Sequence, residues 1–251
     1  AVRTGVAVRR IRAVDGGFRI EAGAQGEIHA CAVVIATQPH VAAQLLETVT
    51  PTGAEAAAAI EAPPLAVVFL GYRRRQVAHA LDGLGYLTPS GERRNLTGAL
   101  FCSTMFEGRA PRGHVALAGY VGGSRAPHLA GLCTGDLLDL ARAEFSDLLG
   151  ADGEPVVARV HRWARGLPQY NLGHARLAAA LRATSQEVPG LYVTGNYLRG
   201  VSLGACVEQA VETAVRVDHF LSGIERSAKP APGNRATQRR APGVAPGGGA
   251  R

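Results

Sequence analysis

The stretch Gly190–Leu221, GLYVTGNYLRGVSLGACVEQAVETAVRVDHFL, constrains the fold most. Leu191, Tyr192 and Val193 form a short apolar run that ends at Gly195 and reads as a buried strand. A loop containing Gly200 follows. From Cys206 onward, Val207, Ala210, Val211, Ala214, Val217 and Leu221 recur at helical spacing, while Glu208, Gln209, Glu212, Thr213 and Arg216 take the other face. The order is strand, glycine loop, amphipathic helix. A helix N-terminus in that position offers unpaired N–H groups and positive potential to a pyrophosphate or to negative charge on a cofactor ring. An ordinary strand-loop-helix unit of an α/β domain explains the same pattern equally well.

With 251 residues, 47% of them hydrophobic, the chain can bury a core and fits one or two domains. It has no apolar run long enough for a membrane-spanning helix. The start, AVRTGVAVRR, has neither an initiator Met nor a signal-peptide pattern, and reads as cut from something longer. The net charge of +7 is concentrated at the other end: residues 225–251 carry six Lys or Arg against Glu225, a net +5, which leaves +2 for the body. That Pro-, Gly- and Ala-rich tail is expected to be disordered and solvated. Cys31, Cys102, Cys133 and Cys206 have no C-x-x-C spacing and read as reduced, mostly buried thiols of a cytosolic protein. The eight histidines form no H-E-x-x-H pattern, so no metal site is expected.

Along the chain, Gly5–Val14 and Phe18–Glu21 alternate apolar and polar residues around Asp15-Gly16-Gly17, a hairpin signal. Ala32–Ala36 reads as a strand covered on both faces, and Val41–Leu46 as a short helix ended by Pro51. Residues 60–125 form a β-rich block with apolar runs at Leu65–Leu70 and Val115–Val121. A helix capped by Asp136 and stopped by Gly150 comes next, then a strand at Val156–Val160.

Several of these stretches resemble one family. Gly195-Asn196-Tyr197-Leu198-Arg199-Gly200-Val201-Ser202-Leu203-Gly204-Ala205-Cys206 resembles the C-terminal flavin-binding signature of the protoporphyrinogen oxidase family, with Gly204-Ala205 where an aspartate usually follows a variable residue. An aspartate at 205 could cap the helix, and its loss would cost about 1 kcal/mol. The hairpin followed by VVIATQP resembles the closing part of the dinucleotide-binding domain in the flavin monooxygenase and amine oxidase superfamily. Gly83–Pro89 resembles the family's G-F-G-x-L-V-P, Leu100–Pro111 its F-x-S-x-x-F-P-x-R-A-P, and RWARGLPQYNLGH its R-W-x-x-x-x-P-Q-Y-x-x-G-H.

The resemblance implies an α/β (α+β) fold, the C-terminal part of a two-domain, FAD-binding, Rossmann-like flavoprotein of amine-oxidase type. It divides the chain into closing strands of the FAD domain (1–50), a mixed-sheet substrate domain (51–165), a returning FAD segment (166–224) and the tail (225–251). By the same resemblance Val8, Trp163, Gly195, Asn196, Val201, Ser202 and Leu203 would contact FAD, and Leu84, Gly85, Leu87 and Tyr120 would line the wall facing a tetrapyrrole. The helix Ala175–Leu181 would run back into the nucleotide domain, and His174 would make a structural hydrogen bond. No catalytic acid or base stands out.

The implied activity is dehydrogenation of protoporphyrinogen or coproporphyrinogen, with oxygen as acceptor. No G-x-G-x-x-G occurs in the chain, so the family's N-terminal, pyrophosphate-gripping half is expected to be absent and FAD binding by this chain alone to be weak. Further expectations are a cytoplasmic location, peripheral contact with the inner membrane, a homodimer and no nucleic-acid partner. Arg125 reads as a carboxylate partner or as a surface arginine. A flavin amine oxidase or carotenoid-type desaturase, and a non-catalytic basic binding fragment, are the competing readings.

Overall fold

The computed structural model describes residues 1–23 and 26–228, with side chains described to residue 224. The expected tail therefore lies outside the described residues from 229 onward.

Two hydrophobic cores organise the chain. The first begins with an antiparallel sheet of β1 (Arg10–Val14), β2 (Gly17–Glu21) and β3 (Glu27–Ala30). Val14 pairs with Gly17, so Asp15-Gly16 is a two-residue hairpin turn, and Ile11 and Phe18 face inward. The first strand starts at Arg10 rather than Gly5. The four-residue β3 went unforeseen because its alternation is too short to register.

Strand β4 (Val33–Ile35) pairs in parallel with β10 (Leu191–Val193), in the register Val33↔Leu191 to Ile35↔Val193. Around this pair pack α1 (Pro39–Leu46), α2 (Pro51–Ala58) and α5 (His174–Glu187). Pro51 opens a helix instead of ending one: at the first helical position its missing N–H costs nothing, and the Thr50 hydroxyl accepts the Gly53 N–H at 3.3 Å. Ala56, Ala57 and Ile60 join this first core. Val34 is 43% exposed, so β4 is covered on one face only, contrary to its apolar reading.

The second core lies under an antiparallel sheet in the order β6 (Gly85–Leu87), β7 (Leu96–Phe101), β8 (His114–Gly122), β5 (Leu65–Arg73), β9 (Val157–Trp163). The short α3 (Cys102–Met105) follows β7, and α4 (Thr134–Leu149) covers one face with Leu137, Ala141 and Phe145 against Ala66, Val68, Leu70 and Leu117. The cap of α4 is Cys133, whose sulfur accepts the Asp136 N–H at 3.4 Å; Asp136 sits inside the first turn, where its charge favours the helix dipole. Gly150, left-handed, ends the helix as expected. The thiols are less buried than expected: Cys31 and Cys133 are exposed because a strand-to-strand turn and a helix cap both lie at the surface.

The chain crosses between the two bodies twice, and the crossings are bonded to each other. Gly166 N–H donates to Pro63 C=O at 2.9 Å and Gln169 N–H to Glu61 C=O at 2.8 Å.

Helix α6 (Leu203–Ala228) inverts the expected burial. Leu203, Val207, Val211 and Val215 form a ladder four residues apart that is exposed throughout, whereas Gln209 (6%) and Thr213 (8%) are buried. Each bonds the helix's own backbone: Gln209 Nε2 donates to Ala205 C=O at 3.0 Å, and the Thr213 hydroxyl to Gln209 C=O at 2.7 Å. Arg199 pairs with both Glu208 and Glu212. A substitution on the ladder should therefore leave the folded chain intact. Val211→Asp is expected to change the unfolding free energy by no more than about 0.5 kcal/mol in a urea titration; a loss of several kcal/mol would show that the valine is packed.

Candidate functional site

Register brings distant residues of the second sheet onto one face. Leu87 pairs with Gly98, Gly98 with Tyr120, Tyr120 with Val67, and Val67 with His161. Directly paired residues share a face, so Leu87, Tyr120, Val67 and His161 form one row across five strands. Gly85 begins a second row with Leu100, Ala118 and Phe69, and Trp163 pairs with Leu65 in a third. This is the face turned away from α4, and Leu65, Val67 and Phe69 on it remain half-exposed. The result is a broad, mainly apolar platform.

At one end of the platform, beside the paired crossings, lies a cavity of about 330 Å³ lined by Gln38, Leu65, Val67, Tyr120, Trp163, Gly166, Leu167 and Asn196. It brings together Tyr120 from the expected substrate wall with Trp163 and Asn196 from the expected cofactor set. Trp163 is half-exposed and stacks at a tilt on His161, with ring centres 4.5 Å apart. Burial raises the Tyr120 hydroxyl above its ordinary pKa, with the neighbouring Cys102 adding to the effect, so the phenol stays neutral against this apolar wall.

The glycine loop is held from two sides. Tyr170 donates its hydroxyl to Asn196 C=O at 2.9 Å, and its ring lies 4.1 Å from that of His174. His174 Nε2 bonds Tyr197 C=O at 2.8 Å, the structural hydrogen bond expected of it. Gly195 has φ +153°, and a Cβ there would come within 2.6 Å of the Tyr197 ring, so only glycine lets the loop turn over this buried aromatic.

Ser202 closes the loop by capping α6: its hydroxyl accepts the Ala205 N–H at 3.1 Å. Position 205 is thus the third residue of the helix and not its cap, which corrects the expectation that losing an aspartate there removes the cap. Among the described residues the N–H groups of Leu203 and Gly204 have no partner, and Val201 and Leu203 are exposed around them. These unpaired amides at the end of a long helix, on a glycine-shaped loop, fit a planar cofactor edge carrying negative charge.

Not every expected residue joins this cluster. Val8 is exposed on the segment leading into β1, in the sheet of the first body. Leu84 is exposed before β6, and Leu87 is 88% exposed at the outer strand of the platform. Gly85 and Leu87 also border a separate cavity of about 410 Å³ with His79, Tyr86 and Arg94. Sequence reasoning missed Gln38, Tyr170, Gly166 and Leu167. Tyr170 was within reach, since it sits in the P-Q-Y run, where only the tryptophan and histidine drew notice.

Residues 1–217 match the profile of a family described as flavin containing amine oxidoreductase. The chain belongs to this flavin-containing oxidoreductase family. Its curated relatives include the chloroplastic protoporphyrinogen oxidase 1 of Arabidopsis thaliana, 31% identical over 200 residues that make up 76% of this chain and 37% of the relative. Coproporphyrinogen III oxidase of Propionibacterium freudenreichii is 32% identical over 187 residues, 74% of this chain and 35% of the relative. Among solved structures, a candidate protoporphyrinogen oxidase from Exiguobacterium sp. 255-15 superposes with a TM-score of 0.71 at 22% identity, covering 88% of this chain and 47% of that one. Putrescine oxidase bound to putrescine superposes at 0.63 with 16% identity, covering 85% and 48%. The chain thus spans a little over a third of the length of these curated relatives. The family contains flavin and its named relatives are enzymes; the α/β class expected from the sequence agrees with these neighbours.

Two outcomes test the geometry. Ser202→Ala should lower stability by about 1 kcal/mol in denaturant unfolding, through loss of the α6 cap. Tyr86, its hydroxyl buried without a partner among the described residues, is pushed up to about 12 by burial, with Glu144 raising it further and Arg94 opposing. The unfolded chain would release this proton near pH 10, before the folded one does, so stability is retained below pH 10 and lost as pH climbs from 10 to 12. Tyr86→Phe should flatten that alkaline limb of melting temperature against pH; an unchanged limb would remove Tyr86 from it.

Proposed function

We propose that residues 1–228 build one wall of the substrate site and one edge of the cofactor site of an FAD-dependent porphyrinogen oxidase, dehydrogenating protoporphyrinogen or coproporphyrinogen with oxygen as acceptor. The observation that carries this reading is the single cavity in which Tyr120, on the apolar platform, meets Trp163 and Asn196, next to the loop that opens α6.

Each part has a physical role. A porphyrinogen is a large, mostly apolar ring with acidic side chains, and the rows Leu87–Tyr120–Val67 and Leu100–Phe69 offer a surface of matching character. Burying the ring there removes water from the carbon that is oxidised. The Leu203 and Gly204 amides and the dipole of α6 would hold the pyrimidine edge of the flavin and favour negative charge on it. When bound, the flavin supplies the hydride acceptor, and aromatisation of the product provides the driving force. Gly195 and the Tyr170–Asn196 bond would keep the loop in place without occupying the ring's space.

The porphyrinogen reading is favoured over an amine-oxidising one by the curated relatives at about 30% identity, since the amine oxidases resemble this chain in fold alone. The test uses the full gene product that contains residues 1–251, purified with its flavin absorbance recorded. Porphyrin fluorescence should appear, with oxygen uptake, on adding one of the two porphyrinogens. A flavin-loaded protein that leaves both unchanged but oxidises putrescine or cyclohexylamine would instead establish an amine oxidase.

A further inference from the structure

The 330 Å³ cavity does not end at Trp163. It shares Leu65 and Leu167 with a second cavity of about 250 Å³, lined by Pro63, Thr97, Gly122, Gly123, Ser124, Arg125 and Gln169 as well. Arg125 is the one charged residue in this lining.

Arg125 is held in place by backbone. Its Nη1 donates to Thr88 C=O at 2.6 Å, and Thr88 directly follows Leu87, the outer residue of the platform row. One of the five guanidinium donors is thereby used, and no carboxylate lies within salt-bridge distance of Arg125 among the described residues. The neighbouring polar side chains are occupied with each other: Ser124 donates to Gln169 Oε1 at 3.0 Å, and Gln169 Nε2 to Leu167 C=O at 2.9 Å. The loop that carries Arg125 depends on Gly122, at φ +102°, where a Cβ would meet Ala130 at 2.8 Å and Pro64 C=O at 2.9 Å; Gly123 N–H then donates to Pro64 C=O at 2.8 Å. A turn folded this tightly fixes the distance between the arginine and the platform.

We propose that Arg125 is a specificity-determining residue that receives a carboxylate side chain of the ring substrate, in the 250 Å³ cavity next to the platform. The inference rests on the porphyrinogen reading given above. A planar fork with unused donors, anchored through one nitrogen, suits bidentate capture of a carboxylate. The acidic side chains of the macrocycle would reach Arg125 while its ring lies on Tyr120 and Val67. Through the Thr88 bond, that capture would also fix Leu87 at the far edge of the ring.

The experiment is a binding titration on the full gene product that contains residues 1–251, with coproporphyrin III, a stable tetracarboxylate, and with its tetramethyl ester in the same detergent. Binding is followed by the shift of the porphyrin's main visible absorption band. The free acid should bind about tenfold or more tightly than the ester. Arg125→Gln should abolish that preference, Arg125→Lys should keep part of it, and Arg112→Gln, at the opposite end of β8, should keep all of it, which separates recognition from general attraction to a basic chain. An acid preference that survives in Arg125→Gln overturns the role of Arg125 and leaves the porphyrinogen reading standing. Failure of the wild type to bind either compound overturns both.

Discussion

The parallel pairing of β4 with β10 is the constraint on which the rest depends. Three residues from near the start of the chain, Val33–Ile35, lie against three from near its end, Leu191–Val193. A pair this short has little stability alone. It is sustained by what packs around it: Leu46, Leu181 and Tyr197 are wholly buried beside it, and Val33 N–H is extended into the ladder by Gly190 C=O. Everything between the two strands is an excursion that must return, and the bonded crossings at Pro63–Gly166 and Glu61–Gln169 bring both lines of chain out and back side by side.

The functional geometry follows from that return. Because the two crossings are paired, the end of β9 and the start of β5 arrive next to the segment after β4 and the loop before α6. Trp163, Leu65, Gln38 and Asn196, drawn from four separate stretches of sequence, share one cavity for this reason. The platform is set independently, by strand register. One side of the sheet is taken by α4, so the alternate residues of β5 and β8 have no choice but to face the open side.

Much of this was legible in the sequence, and the failures have physical causes. Strong local signals held: the Asp15-Gly16 turn, the stop at Gly150, the strand-loop-helix order around Gly195 and the role of His174. The misread positions are those where a residue type admits two uses. Proline can end a helix or begin one, and Pro51 begins one; an acidic residue near a helix start can cap it or sit in its first turn, and Asp136 does the second. The site was legible only in part, because the meeting of Tyr120 with Trp163 depends on register across three strands, which no local pattern encodes. The side of α6 that would be buried was misread for another reason: periodicity identifies an apolar stripe but does not say what it meets.

That stripe has a thermodynamic consequence. The exposed part of a valine contributes nothing to the heat-capacity increment of unfolding, since it is in water before and after the transition. Val207, Val211 and Val215 on α6 and Val34 on β4 are 43–64% exposed, so that share of their surface adds nothing to the increment. A partner that covered the stripe would add that share to the increment and steepen the curvature of stability with temperature.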